Sequence, residues 1–185
     1  MTGKNLAVRG FTLMELLVTM TVVGILMAIA VPSYRYVTTA NRASSEVNAL
    51  LGDVQMARGE AIKEGQFVSI CASTDGSTCA GTSAWNTGWI VFTDAAPLGT
   101  REAPGDVIVK VQSAFSGADT LNSNHGITAL TFNREGIVWN LGQGFTFTLH
   151  DSSNNAQYTR CLSGTIVGAL STQVGGKPTA EGPAC

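Results

Sequence analysis

The chain has 185 residues, 44% of them apolar, with 11 basic and 13 acidic residues and a formal charge of −2. That apolar share supports a packed core and excludes a largely disordered chain, while the acidic balance excludes the footprint of a general nucleic-acid binder. Four cysteines without a Cys-x-x-Cys pair argue for disulfides rather than zinc, and so for an oxidising compartment.

The first element is an apolar run of 21 residues, Phe11 to Val31, whose only charged residue is Glu15. As a helix it extends roughly 30 Å, the thickness of a bilayer's hydrocarbon core. Lys4 and Arg9 lie on its N-terminal side, which predicts a cytoplasmic N-terminus and an outward C-terminal portion. Two simpler readings compete: a secretory signal peptide, for which Ala28-Ile29-Ala30 offers a small-x-small site, and a plain membrane anchor. The run is longer than the usual ~7–15 apolar residues of a signal peptide, and neither reading accounts for Glu15. A carboxylate inside a membrane helix costs roughly 2.5–3.5 kcal/mol, so it calls for a partner or a function. Cleavage after Gly10 would supply one. Phe11 would gain a free α-amino group, and that cation on a neighbouring subunit would pair with Glu15 and fix register. The shortened chain would carry a charge of −4.

Gly10-Phe11-Thr12-Leu13-Met14-Glu15, the apolar run and Pro32 together resemble the class III leader and N-terminal helix of type IV pilins and type II secretion pseudopilins. The resemblance implies that Gly10 ends a leader (residues 1–10) removed by prepilin peptidase. It also implies that Phe11 becomes the N-methylated terminus and that Glu15 serves subunit recognition and assembly. Residues 11–31 would then hold the subunit in the inner membrane, with a periplasmic head, before it joins other minor and major pilins or pseudopilins in a pilus or pseudopilus.

After Pro32, which removes one backbone donor and predicts a kink, the pattern turns amphipathic. Val37, Ala40, Val47, Leu50, Leu51, Val54, Ala57, Ala61 and Ile62 recur at threes and fours, with Arg42, Glu46, Asp53, Arg58, Glu60, Lys63 and Glu64 mostly between them. Residues 32–65 therefore continue the helix, with Gly65 as its stop, giving one element of roughly 80 Å. The remainder, 66–185, reads as a β-rich head. Strands are predicted at 67–72, 88–94, 106–113, 127–133, 136–140, 144–150, 157–163 and 165–171, with a hairpin turn at Asn133–Gly136. The fold class is α+β, pilin-like: a long N-terminal helix packed on an antiparallel sheet, single or split in two.

A second resemblance covers residues 48–94. A helix ending in Ala57-Arg58-Gly59-Glu60-Ala61, a strand with Cys71, a loop to Cys79, then Trp85 and Gly88-Trp89 are similar to the segment that marks the GspH/FimT family of minor pseudopilins and minor pilins. Within it, FimT- and FimU-like members stand nearer. The cysteines fit this reading. Of three possible connectivities, the sequential one is favoured: Cys71–Cys79 across a turn-rich loop, and Cys161–Cys185 tying down the C-terminus.

No nucleophile, metalloprotease or phosphate-loop motif is present, and no enzyme activity, cofactor or metal is expected. His125 reads as a loop residue and His150 as a strand end, while Trp85, Trp89 and Trp139 read as core or rim packing. The function implied is a minor type IV pilin that primes assembly and sits at or near the tip. The alternatives are a type II secretion minor pseudopilin and a DNA-binding minor pilin for natural transformation. FimT-like DNA binders carry a Gly-Arg-x-Arg motif; the corresponding place here is Gly168-Ala169-Leu170-Ser171, without either arginine, so DNA binding is not expected.

Overall fold

The computed structural model describes residues 11–95, 98–102 and 104–175; the leader, with Gly10, and Cys185 lie outside them. Two units divide after Thr38. Helix α1 (Leu13–Glu64) begins in the first and ends in the second, running through Pro32 without a break. It stops where expected: Gly65 takes φ +66° and its N–H closes on the Ala61 carbonyl at 3.0 Å, a left-handed cap that a side chain would strain.

In the head, the described residues form two four-stranded antiparallel sheets. The first has the order β3 (Ile108–Ser113), β2 (Gly88–Thr93), β1 (Val68–Ala72), β5 (Ala129–Phe132). The second has the order β4 (Thr120–Ser123), β6 (Phe145–His150), β7 (Arg160–Gly164), β8 (Leu170–Val174). Both contribute to one core with α1. Ala43, Val47, Leu50, Val54, Ala57 and Ala61, spaced at threes and fours, are buried with Val68, Ile70, Val91 and Leu130 of the first sheet and Leu121, Phe147, Leu149 and Leu162 of the second. Trp85 packs edge-on against Phe147 at 4.8 Å, and its indole N–H donates to the Ile127 carbonyl at 3.0 Å.

The other face of the first sheet has its own small core of Cys71, Ile90, Phe92 and Ala129, against which Cys79 and Ile108 pack. The Cys71–Cys79 disulfide forms as expected. Asp75 closes its loop by accepting the N–H groups of Thr78 and Ser77, both at 2.8 Å, and those bonds hold its carboxyl well below the usual range. The segment after β2 is tied to this loop: Arg101 donates to the Ser77 carbonyl at 2.8 Å, while Asp106 accepts from the N–H groups of Ala95 and Glu102.

Several expectations need correction. Residues 136–140 do not form a strand. The Asn133–Gly136 turn closes as predicted, but beyond it there is a single bridge, Phe132 to Val138. Asn140 then serves β5 with its side chain, donating to Ala129 O at 2.8 Å and accepting from Thr131 N at 3.0 Å, so the amide replaces a strand's ladder. Strand β4 was unforeseen because Leu121 is its only buried residue. The last strand lies at 170–174 rather than 165–171, since Thr165 to Ala169 form the hairpin turn. On α1, Val37 and Ile62 are exposed, whereas Ala43 and the charged Asp53 are buried.

Candidate functional site

The N-terminal unit consists of an exposed apolar helix. Fourteen large apolar side chains from Phe11 to Val31 are exposed, and an 18-residue window of α1 reaches a mean hydropathy of 2.3, long and apolar enough to cross a membrane. The hydroxyls within it are satisfied along the helix: Thr19 donates to Leu16 O at 2.9 Å and Thr21 to Leu17 O at 2.5 Å. Such hydroxyls are compatible with lipid because they require nothing from outside.

Glu15 differs. Thr12 caps α1, its Oγ1 accepting the Glu15 N–H at 3.2 Å, so Glu15 sits in the first helical turn, where a negative group is favoured. Its carboxylate accepts no hydrogen bond among the described residues. Phe11, four positions earlier and 76% exposed, lies just before the helix. Thr12 adds a capping residue to the expected site, and Thr-x-x-Glu ahead of an apolar run is its sequence signature.

In the head, the charged residues serve structure. Asp53 accepts from Trp89 Nε1 at 2.9 Å and from Lys110 Nζ at 2.5 Å. Arg42 holds the buried Asp119 through two bonds of 2.8 and 2.6 Å. Arg58, in the Ala57–Ala61 stretch, donates to Gly136 O at 2.9 Å and to Val167 O at 3.3 Å, strapping α1 to the β5 turn and to the β7–β8 hairpin. Beneath that hairpin, a Cβ at Gly168 (φ +81°) would lie 2.5 Å from Arg58 Nε, so packing and backbone both demand glycine. His125 is exposed in a loop, and His150 touches Thr159 Oγ1 at 3.3 Å. Among the described residues, no cluster of His, Cys, Asp and Glu is arranged to hold a metal. Cys161 is disulfide-bonded; Cys185, its expected partner, lies outside the described residues.

The long N-terminal helix packed on antiparallel sheets has counterparts among known proteins. The family model described as Type II transport protein GspH matches residues 46–168, more than half of the chain. The chain belongs to the GspH family. The prokaryotic N-terminal methylation motif matches residues 6–31 of this GspH-family protein. Crystal structures of the type IV minor pilin FimU of Pseudomonas aeruginosa are similar to it at 22% identity. One covers 71% of this chain and 90% of FimU with a TM-score of 0.54, and a second covers 71% and 85% with a TM-score of 0.55. The minor pseudopilin EpsH from the type 2 secretion system of Vibrio cholerae is 16% identical, with 74% of this chain and 99% of EpsH covered and a TM-score of 0.51. At these identities the likeness is one of fold. It is the pilin-like fold expected from the sequence.

Proposed function

We propose that this GspH-family protein is a minor type IV pilin, a non-enzymatic filament subunit that primes assembly and stands at or near the tip. The observation that carries the reading is Glu15: a carboxylate without a partner among the described residues, at the capped start of an exposed apolar helix and four residues after the proposed new N-terminus. Prepilin peptidase would cut after Gly10. Phe11 would be methylated, and its α-amino group would pair with Glu15 of an adjacent subunit inside the bundle. Before assembly, residues 11–31 hold the subunit in the inner membrane with its N-terminus inside and its head in the periplasm. Pro32 is the point at which the helix can bend as it packs among other subunits.

DNA capture is disfavoured by the placement of the cations. Arg101 is engaged by Ser77 and Asp106, Lys110 by Asp53, Arg134 by Glu135, and Arg160 by Ser44 and two carbonyls. Gly168-Ala169-Leu170-Ser171, the place where DNA-binding relatives carry arginines, has none, and the hairpin tip beside it presents Ile166 and Val167. Phosphate contacts need cations free to replace counterions.

The test is the mass of the mature protein together with a Glu15→Ala variant. The reading expects a chain that starts at Phe11 with one added methyl group. It also expects Glu15→Ala to remain in the membrane yet fall out of sheared pili. A start at Val31 would establish signal-peptide cleavage and overturn it. Deleting the gene should abolish surface pili with exoprotein release intact; lost secretion with intact pili would instead make the protein a pseudopilin.

A further inference from the structure

At the C-terminal end of α1 the head opens a cavity of about 480 Å³. It lies between Gly65 at the helix end, Asp94 at the end of β2 and the turn at 133–135, with Phe67 and Trp139 on its wall. Trp139 is 60% exposed, whereas Trp85 and Trp89 are wholly buried. Phe67 meets its ring edge-on at a centroid distance of 5.7 Å, which fixes the indole while leaving much of it open.

The charge of this cavity is acidic on balance, with Asp94 and Glu135 against Arg134 on its wall. Asp94 is 3% exposed; its Oδ2 accepts from Ser69 Oγ at 2.5 Å and from Gly99 N at 2.6 Å, while Oδ1 has no partner among the described residues. Burial holds this carboxyl above the usual range, against the two hydrogen bonds that lower it. The last carbonyls of α1 add partial negative charge at the same end. The nearby cations are already engaged: Arg134 pairs with Glu135 at 3.0 Å, and Lys63 pairs with Glu60 and Glu64.

We propose that this cavity receives a basic side chain, guanidinium or ammonium, from a neighbouring subunit, stacked on Trp139 and directed at Asp94. An anion would meet Asp94 and the helix end unfavourably, and a neutral apolar group would leave Asp94 Oδ1 buried and unpaired. A cation satisfies both walls, since the indole face attracts positive charge and the buried Asp94 carboxylate gains a nearby countercharge. That the carrier is a filament subunit rests on the minor-pilin reading. The cation preference of the cavity does not.

The experiment uses the mature full-length protein in detergent, with N-acetyl-arginine amide as probe and N-acetyl-citrulline amide as its uncharged counterpart. Because the other two indoles are buried, the change in indole emission that is lost in Trp139→Leu reports Trp139. The expected result is a saturable change with the arginine amide at millimolar concentration and binding about tenfold weaker for the citrulline amide. Asp94→Asn, which keeps an acceptor for Ser69 and Gly99 but removes the charge, should abolish that difference. If Asp94→Asn fails to fold, Trp139→Leu at the exposed wall replaces it, read through the amide shift of Gly99, and should weaken binding of both probes. Equal binding of the two amides, no saturable change, or binding unaffected by these variants overturns the assignment. None of those results bears on processing at Phe11, which tests the minor-pilin reading separately.

Discussion

Glu46 makes stability depend on pH in a direction opposite to that of most salt-bridged acids. It lies on α1 one turn beyond Arg42, half-buried and beside Asp119, whose side chain is fully enclosed. Burial first, then the charge of Asp119 and the hydrogen bond shared with it, push the Glu46 carboxyl up to about 7 from an ordinary 4.5, with Arg42 opposing. The folded chain therefore keeps a proton that the unfolded chain has released. Stability on this account is fully present below pH 4.5 and is lost as pH rises towards about 7, after which it is flat. For a sealed group the shift would be worth about 3 kcal/mol, but Glu46 is partly open to solvent, and screening reduces this to about 1–1.5 kcal/mol.

Glu46→Gln is the informative change. The amide can still donate to Asp119 but cannot ionise. Relative to the natural chain, the variant should be equally stable near pH 4 and about 1 kcal/mol more stable at pH 8, or roughly 2–4 °C in midpoint. Urea melts of the full-length protein in detergent at several pH values measure the difference, which cancels other titrations, including that of Asp94. A difference that does not change with pH, or a variant less stable at pH 8, would refute the reasoning. Asp119→Asn removes the neighbouring charge and should reduce the Glu46 slope while lowering stability throughout, because Arg42 loses its anion.

Two further outcomes follow from single contacts. Asp53→Ala strands the buried Trp89 N–H and should cost about 1–3 kcal/mol in chemical melts; Lys110→Met, at a side chain that is 43% exposed, should cost less than about 1 kcal/mol. Equal costs would show that the ion pair, not the indole bond, is what matters. Gly168→Ala forces Arg58 from beneath the hairpin and should cost about 1–3 kcal/mol. Combined with Arg58→Ala the loss should be well below additive, and full additivity in the melts would break the proposed link.

How much of this was legible depends on how far apart the deciding residues lie. The membrane run, the α1 stripe and strands β1, β2, β3, β5 and β6 announce themselves because their apolar spacing is local. Leu121 is the lone buried side chain of β4, so that strand exists only through pairing with β6. Ile137, Val138 and Trp139 carry a strand's composition, but Asn140 ends the ladder with a side-chain bond that no periodicity encodes. Asp53 and Arg58 read as solvated because their partners are 36 and 78 residues away. The cavity at Trp139 joins α1, β2 and the β5 turn, and was illegible for the same reason.

Among the described residues, Glu46 and Asp94 each bury a carboxyl oxygen without a hydrogen-bond partner and Glu15 holds an unpartnered carboxylate on an apolar helix, and each must resolve the cost differently. Glu46 is only half-buried, and keeping its proton up to about pH 7 settles it within the fold. Asp94 is more deeply enclosed and already accepts two hydrogen bonds on one oxygen, so what it lacks is a nearby countercharge, which a cation entering beside Trp139 would bring. Glu15 has neither recourse. Thr12 occupies the backbone N–H beside it, the Thr19 hydroxyl one turn on bonds to its own helix, and the other neighbours on that face, Phe11 and Val18, are apolar. In lipid such a group stays costly until another molecule answers it. On the proposed reading the answer is the new α-amino group of Phe11 on an adjacent subunit, so the carboxylate that weakens membrane residence is also what gives assembly its register. Glu15→Gln should sharpen the point, because it preserves shape and capping while removing the charge. If filament entry depends on the ion pair, the amide should fail as Ala does in sheared pili; if it enters normally, hydrogen bonding alone suffices and the charge argument falls.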